Sequence, residues 1–393
     1  MLNFDLCTPS RILFGKDQQN EVGALLKPLT KKLLLHYGGG SIKKMGLYDQ
    51  VVASLNAAGI QFVELGGVMP NPRLSLVHEG IALCKQEQVD FILAVGGGSV
   101  IDSAKAIAAG VCYDGDIWDV YEQNLDIPKA LPVATVLTIP AAGSESSEST
   151  VITNEEKQLK IGYSNQKLRP VFSIMNPEFF FTLPRDQMAN GVADMMSHVL
   201  ERYFTNTTHT DLTDGLCETV LRTIMRNAEI LNRDPKNYDA WAEIGFAGTV
   251  AHNGLLGMGR TQDWACHGME HELSAIYDVA HGAGLAVLTP SWMTYVYREN
   301  PEMFVQFAVN VMGIEGSYRQ RDDLIMAAIE KLKKFFQSLG QPSTLRGLHI
   351  GEEHLEEMAK RATGVAYGRE ESPLGGFKKL YWQDILEIYR AAR

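Results

Sequence analysis

The stretch FILAVGGGSVIDSAKAIAAG, at residues 91–110, constrains the fold of this chain more than any other segment. It begins as an apolar run typical of a buried strand, turns at three consecutive glycines and continues as a helix from about Ser99. Other strand-like runs occur at residues 32–37, 61–65 and 134–139, with helix-like segments between them. Strands that alternate with helices favour a parallel sheet, so we predict an α/β nucleotide-binding domain.

The pattern changes near residue 185, where strand-like runs largely disappear and apolar residues recur at helical spacing. The segments with this spacing are 186–205, 211–232, 238–256, 301–313, 319–339 and 352–363. A chain of 393 residues exceeds what one hydrophobic core usually organises. We therefore predict two domains, an α/β domain at 1–185 and an all-helical domain at 186–393.

Composition excludes several classes of partner. The net charge of −11 argues against nucleic acid or an anionic membrane, since both require a basic face. The five cysteines are scattered and contain no Cys-x-x-Cys pair, which is typical of a reducing compartment. No run reaches the roughly 18 apolar residues of a membrane span. We expect a cytoplasmic protein that acts on a small molecule.

Glycine runs follow two of the predicted strands, at residues 38–40 and 96–98. Glycine allows close backbone approach to a ligand, and a helix N-terminus favours a pyrophosphate. A tight turn is the structural alternative, but three consecutive glycines exceed what a turn needs. Neither run matches the G-x-G-x-x-G fingerprint, because the sixth positions are Lys43 and Ile101. The runs indicate a nucleotide or phosphate without specifying which.

The loop at residues 140–150 concentrates hydroxyl side chains just after a predicted buried strand. Such hydroxyls either bind a cofactor amide or phosphate, or belong to a solvated turn. Composition alone favours neither interpretation.

Asp194 and His198 have i, i+4 spacing, as do His267 and His271, and His281 follows ten residues later. On a helix such pairs project from one face. A single histidine is more often a core or surface residue than a ligand. Together, however, a carboxylate and imidazoles suit Zn²⁺ or Fe²⁺. Five candidates exceed the four ligands of a tetrahedral site, so one is left over, either to support a ligand or to transfer a proton. The histidines without such spacing are set aside: His36, His78, His209, His252, His349 and His354.

Taken together, the Gly-Gly-Gly-Ser turn, the PAAGSE loop, D-x-x-x-H, and H-x-x-x-H followed by H-G resemble the iron-dependent alcohol dehydrogenase family. The branch that the chain resembles contains NADPH-dependent aldehyde reductases and butanol dehydrogenases. The resemblance covers essentially the whole chain. It implies a Rossmann-like dinucleotide-binding domain, a helical metal-binding domain, the two-domain plan of dehydroquinate synthase, and a homodimer.

The resemblance also assigns roles to individual residues. It places one metal ion, Fe²⁺ or Zn²⁺, on Asp194, His198, His267 and His281. His271 matches a histidine near the nicotinamide that is not a ligand, and His267 and His271 are the expected catalytic pair. The expected cofactor contacts are Gly38, Gly39, Gly40, Ser41, Gly97, Gly98, Ser99, Asp102, Thr138, Ser144, Ser147, Lys160 and Leu183.

The expected cofactor is NADP(H), because of Gly39. NAD-using relatives carry an aspartate at the corresponding position, where it accepts the ribose hydroxyls. Here the glycine has no negative charge that would repel a 2′-phosphate. Ser41, Lys43 and Lys44 follow it. Glu64 occupies the place of the ribose-binding acid in the ordinary fingerprint, but that fingerprint does not match this chain.

The resulting hypothesis is a metal-dependent alcohol dehydrogenase that reduces short- to medium-chain aldehydes. A sugar-phosphate cyclase of the dehydroquinate synthase type is the main alternative. It would need basic residues that the segments around the metal motifs largely lack. A polyol dehydrogenase is a further alternative. A non-catalytic nucleotide-binding or metal-sensing protein would retain one site and lose the other, whereas both sets of motifs are present.

Overall fold

The computed structural model describes residues 1–316 and 320–393. Contacts divide these residues into two compact units. The sheet unit comprises Thr8–Leu183 and Lys236–Thr249, and the helical unit comprises Met1–Cys7, Pro184–Pro235 and Val250–Arg393. Compared with a single boundary at residue 185, residues 1–7 pack with the later part of the chain and residues 236–249 with the earlier part.

The sheet unit contains one six-stranded sheet, in which every neighbouring pair of strands is parallel. The strand order is β1-β8-β5-β4-β2-β3, and a separate antiparallel hairpin pairs β6 with β7. The strands are β1 Arg11–Phe14, β2 Lys32–Gly38, β3 Gln61–Val68, β4 Phe91–Gly97, β5 Val133–Ile139, β6 Ser149–Asn154, β7 Leu159–Ser164 and β8 Phe172–Met175. The predicted α/β class is thereby confirmed.

Strand β4 lies inside the sheet between β5 and β2, and all seven of its residues are buried. This position explains its uninterrupted apolar sequence, because a strand covered on both faces has no polar side. The glycine turn after β4 leads directly into α5, and the glycine run after β2 leads into α2. Both runs therefore lie at the carboxyl edge of adjacent parallel strands, where ligands of α/β sheets bind.

Helices connect the strands of the sheet unit. They are α1 Val22–Leu26, α2 Ser41–Lys44, α3 Leu47–Ala58, α4 Leu74–Glu87, α5 Gly98–Cys112 and α6 Ile117–Gln123. The first part of α9, Tyr238–His252, also packs here. The rings of Trp241 and Phe180 lie 5.6 Å apart, and the Thr249 hydroxyl donates to Glu145 Oε1 at 2.5 Å.

The helical unit follows the predicted segments closely. Its helices are α7 Arg185–Tyr203, α8 Asp211–Arg233, the end of α9, α10 Ala265–Tyr277, α11 His281–Val296, α12 Pro301–Gln306, α13 Arg321–Ser338, α14 Leu355–Ala362 and α15 Trp382–Ala391. A π-helical turn, Phe307–Val311, continues α12. The described residues after Leu183 contain no strand, and the predicted start of α13 at residue 319 lies outside them.

Helices α7 and α11 approach closely beside the metal motifs. A Cβ atom on Gly282 would lie only 2.0 Å from the backbone oxygen of Asn190 on α7. Only glycine fits at this crossing. The H-G dipeptide therefore has a packing cause, since Gly282 allows His281 to start α11 against the helix that carries Asp194. Within the described parts of the chain, no helix combines the length and apolarity of a membrane span.

Candidate metal centre and cofactor site

The predicted metal-binding residues lie on three helices of the helical unit. Asp194 and His198 occupy α7, His267 and His271 occupy α10, and His281 is the first residue of α11. The i, i+4 spacing of both pairs is therefore helical, as predicted.

The side chains converge on Asp194. Its Oδ1 atom lies 3.6 Å from His198 Nδ1, 3.7 Å from His267 Nε2 and 3.7 Å from His281 Nε2. The ligand atoms of Asp194, His267 and His281 all lie within 4.8 Å of one another. His198 approaches this group at Asp194. His271 belongs to a second group of potential ligands, together with His281 and Glu270.

Three of the converging atoms are buried without any hydrogen-bond partner among the described residues: Asp194 Oδ1, His198 Nδ1 and His267 Nε2. Buried polar atoms are rarely left unsatisfied, because the lost hydration is costly. Metal–ligand bonds of about 2.0–2.2 Å separate the ligands of a tetrahedral site by roughly 3.3–3.6 Å. The observed separations are close to this value, so the residues fit one divalent transition metal.

Two buried glutamates support the imidazoles from behind. His267 Nδ1 donates to Glu201 Oε2, and His281 Nδ1 donates to Glu270 Oε2. Both carboxylates are almost fully buried. A carboxylate on the far nitrogen fixes the tautomer and turns the other nitrogen toward the metal. Neither glutamate was predicted from the sequence, although Glu201 lies three positions after His198 and Glu270 three positions after His267.

The start of α10 is held by the same glutamate. Glu201 Oε1 accepts from the backbone amides of Cys266 at 2.6 Å and His267 at 3.3 Å. Trp264, which precedes the helix, has a left-handed φ of 70°. Its neighbour Asp263 accepts from Ala265 N at 2.9 Å and from two amides of the 376–377 segment. These bonds maintain a backbone conformation that a tryptophan rarely adopts.

A cation and two rings surround His198. Arg202 donates to the His198 carbonyl at 2.8 Å and contacts His252 Nδ1 at 3.0 Å. Its guanidinium lies 4.5 Å from the ring centre of Trp264, and the rings of His198 and His252 are 4.2 Å apart. His252 was not predicted to be a ligand, because it has no partner at ligand spacing. It nevertheless lies directly against His198, a predicted ligand. By contrast, His36 is a buried residue that contacts Leu65 O and Ser103 Oγ.

The electrostatics of His267 and His198 differ. Burial lowers the pKa of His267, but the carboxylates of Glu201 and Asp194 outweigh this effect and raise it to about 9. Burial lowers the pKa of His198 well below its ordinary value. The two carboxylates thus favour the charged form of His267, whereas burial favours the neutral form of His198. A metal ion held here would compete with a proton for the His267 imidazole.

We expect Glu201→Gln to weaken metal binding about 10- to 100-fold, because the amide holds His267 less firmly in the required tautomer. A competition titration with a chelator measures the affinity. Glu218→Gln is a matched control, since Glu218 is another buried glutamate and accepts from Tyr203 Oη at 3.0 Å. Equal metal affinity in wild type and both variants would contradict the assigned role of Glu201.

Packing alone requires glycine at two positions of the turn after β4. A Cβ atom on Gly96 would approach Val100 at 2.5 Å, and one on Gly97 would approach Ile139 at 2.9 Å. Gly98 is the first residue of α5, with Ser99 next to it. The predicted pyrophosphate position therefore coincides with a helix N-terminus, where free amides favour an anion.

The hydroxyl-rich loop is internally bonded. Ser144 and Ser147 are buried, and Asp102 on α5 accepts from Ser144 Oγ at 2.5 Å. Lys105, which sequence analysis missed, donates to the backbone oxygens of both serines. The loop is therefore buried and held by hydrogen bonds to α5, and it is not a solvated turn.

The remaining predicted cofactor residues lie on several elements of the sheet unit. Thr138 is buried on β5, Lys160 is buried on β7, and Leu183 follows a 3₁₀ turn, Pro177–Thr182. Gly38 ends β2, Gly39 and Gly40 form the turn, and Ser41 begins α2. Their roles in cofactor binding stay predictions.

Comparison with known proteins agrees with this geometry. Residues 9–177 match the family model described as iron-containing alcohol dehydrogenase. Residues 188–393 match the C-terminal model of the Fe-containing alcohol dehydrogenase family. The chain belongs to the iron-containing alcohol dehydrogenase family.

Individual relatives cover the chain almost completely. A probable NADH-dependent butanol dehydrogenase 1 of Bacillus subtilis is 44% identical over 392 residues, which is 100% of each chain. The NADPH-dependent aldehyde reductase YqhD of Escherichia coli is 36% identical and covers 92% of this chain and 93% of its own. The crystal structure of NADH-dependent butanol dehydrogenase A from Thermotoga maritima superposes with a TM-score of 0.95 at 43% identity, covering 100% of this chain and 99% of that one.

Proposed function

We propose that this protein is a metal-dependent alcohol dehydrogenase that works as an NADP(H)-linked reductase of short- to medium-chain aldehydes. The observation that carries the proposal is the convergence of Asp194, His267 and His281, in which Asp194 Oδ1 and His267 Nε2 are buried and have no hydrogen-bond partner among the described residues. Membership of the iron-containing alcohol dehydrogenase family supports the same chemistry.

A divalent metal held at this centre would supply a Lewis acid, which favours negative charge on the carbonyl oxygen of the aldehyde. Asp194, His198, His267 and His281 are the proposed ligands. Glu201 and Glu270 keep the imidazoles oriented through their far nitrogens. Imidazole and carboxylate suit both Fe²⁺ and Zn²⁺. The family description favours iron.

His271 is the proposed proton donor. Its ring centre lies 5.8 Å from that of His281, with an angle of 35° between the planes. It is thus near the proposed metal ligands without joining the group around Asp194. An imidazole nitrogen can both hold and release a proton, so His271 can pass the proton that completes the alcohol. A bound nicotinamide cofactor would supply the hydride.

The proposed preference for NADP(H) rests on Gly39. A Cβ atom there would meet nothing within 4 Å, so packing does not require the glycine. Lys43 follows four residues later, and its Nζ atom lies 4.9 Å from the ring centre of Tyr37 and 4.5 Å from that of Tyr48. Glu64 accepts from both tyrosine hydroxyls, at 2.8 and 2.7 Å. Lys43 is therefore a cation held against two tyrosine rings, four residues after Gly39. The carboxylate of Glu64 is already hydrogen-bonded.

The relatives are named for different cofactors. The Bacillus relative is named for NADH and the Escherichia relative for NADPH. NADH is accordingly the competing cofactor, and direct comparison of the two dinucleotides on this protein decides between them.

The substrate class is tested with a panel of carbonyl compounds and both cofactors. We expect butyraldehyde to be reduced with a kcat/KM at least about ten-fold above that of phosphorylated or carboxylated aldehydes, because the segments around the metal motifs are mostly apolar. Aldehyde-dependent oxidation of NADPH, followed at 340 nm, measures this. A sugar phosphate that reacts as well as butyraldehyde would favour the cyclase alternative. Glycerol oxidised faster than butanol would favour a polyol dehydrogenase.

The proposal includes a homodimer in the cytoplasm. The first residues support an interface, because Met1, Leu2 and Phe4 are each more than half exposed although they are apolar. All five cysteines are free thiols, which suits a reducing compartment. Light scattering on the purified protein measures the mass of the assembly, and a monomeric mass would contradict the dimer.

A further inference from the structure

Lys105 is buried in the middle of α5, seven residues after the glycine turn. Its side chain is fully inaccessible to solvent. Burial lowers the pKa of its ammonium group to about 8, against the opposing effect of Asp102 and other carboxylates. A buried ammonium is costly unless its donors are satisfied, so such a residue needs a specific reason to be there.

The partners of the ammonium group all lie in one short segment, residues 144–149. Lys105 Nζ donates to Ser144 O at 2.6 Å, Ser144 Oγ at 2.9 Å, Ser147 O at 2.9 Å and Ser149 O at 2.8 Å. Three of these acceptors are backbone oxygens that point into the protein. Because the segment is irregular, its buried backbone oxygens lack the hydrogen bonds of a helix or a strand. The ammonium group of Lys105 supplies hydrogen bonds to them instead.

Asp102 extends the attachment from the preceding turn of the helix. Its Oδ1 accepts from Ser144 Oγ at 2.5 Å and its Oδ2 from Val151 N at 3.0 Å. Thr150 Oγ1 donates to the backbone oxygen of Asp102 at 2.9 Å. Asp102 and Lys105 are i, i+3 neighbours and share one face of α5. This face therefore holds the chain from Ser144 to Val151.

The same helix begins at Gly98, the predicted position of the cofactor pyrophosphate. Two predicted cofactor elements, the glycine turn and the hydroxyl-rich segment, are consequently joined through α5. Asp102 was expected to contact the cofactor, but both its carboxylate oxygens already accept hydrogen bonds from the segment.

We propose that Lys105 is a positioning residue for the dinucleotide, which fixes residues 144–149 relative to the glycine turn so that the two elements form one preformed cofactor site. This inference rests on the proposed function, in which both elements bind a nicotinamide dinucleotide. Fixing the segment before binding removes the entropy cost of ordering it when the cofactor arrives.

Lys105→Met tests the inference, because methionine retains most of the volume and removes the donors. We expect the Kd for NADPH to rise about ten-fold or more, which corresponds to about 1.4 kcal/mol. The Kd for ADP, which lacks the nicotinamide half, should change by less than about two-fold. The KM for NADPH should rise while kcat at saturation stays within about two-fold. Lys157→Met, at an exposed lysine of the same unit paired with Glu122, is the matched control.

A second variant covers the case in which Lys105→Met fails to fold. Thr150→Val is nearly isosteric and removes only the hydroxyl bonded to Asp102 and Tyr121. It should weaken NADPH binding selectively, by a smaller factor. Unchanged NADPH affinity in a folded variant, or equal losses for NADPH and ADP, would overturn the positioning role. If the wild type prefers NADH, the cofactor preference fails and NADH replaces NADPH in this comparison. A wild type that binds neither dinucleotide overturns both proposals.

Discussion

His281→Ala is expected to abolish aldehyde reduction and to remove most of the bound metal. His281 is one of three residues whose ligand atoms lie within 4.8 Å of one another, and its Nε2 atom lies 3.7 Å from Asp194 Oδ1. We expect kcat/KM to fall about a thousand-fold or more, equivalent to about 4 kcal/mol of transition-state stabilisation. Steady-state kinetics and the metal content per chain, measured on the same preparation, check both parts.

His271→Ala is the matched control, because it removes an imidazole from the same region. His271 lies outside the group around Asp194. The variant should therefore retain its metal, turn over more slowly and show an altered pH dependence. If His271→Ala loses as much metal as His281→Ala, then His271 is a ligand and the assignment of the proton donor is wrong.

Gly39→Asp is expected to reverse or erode the preference for NADPH. The new carboxylate would repel a 2′-phosphate and could accept hydrogen bonds from the ribose hydroxyls of NADH. The space at Gly39 is open, so the substitution should not disturb the fold. The effect should be on the order of 1–3 kcal/mol, roughly ten- to a hundred-fold in the ratio of kcat/KM values.

Gly39→Asn separates charge from size, because its side chain has nearly the same shape without the negative charge. We expect the asparagine variant to retain more of the NADPH preference than the aspartate variant. Equal ratios in the two variants would show that size, and not charge, sets the preference. A wild-type enzyme that favours NADH would contradict the proposed preference for NADP(H).

The parts of the fold that sequence predicted well are those with strong local patterns. Strands β2, β3, β4 and β5 were predicted because their apolar runs end at glycines, a proline or other turn residues. Strands β1 and β8 were missed because each has only four residues. The β6–β7 hairpin was missed because its hydroxyl-rich start resembles a loop, and its stability comes from contacts with α5 that are distant in sequence.

The candidate site divides in the same way. The proposed ligands were found because helical spacing and residue type are local signals. Glu201 and Glu270 were missed because their pairing with His267 and His281 depends on how α7, α10 and α11 pack. A glutamate on a helix is usually solvated, so residue type alone does not reveal this role.

Lys105 illustrates the same limit within the sheet unit. Its partners lie about 40 positions away, in a segment whose composition favours neither a cofactor contact nor a turn. The alanine-rich sequence around it, SAKAIAAG, was the available signal, because an isolated lysine in an apolar helix is either at a surface or specifically paired. Only the three-dimensional arrangement distinguishes the two.

We propose that a single divalent metal at the Asp194 centre is required for aldehyde reduction. Removing the metal with a chelator, and then titrating Fe²⁺ under anoxic conditions or Zn²⁺ back into the protein, tests this requirement. We expect butyraldehyde-dependent NADPH oxidation to be lost on chelation and to return in proportion to bound metal, with a plateau at one ion per chain. Full activity in the metal-free protein, or a metal-loaded protein that reduces no aldehyde with either cofactor, would contradict it.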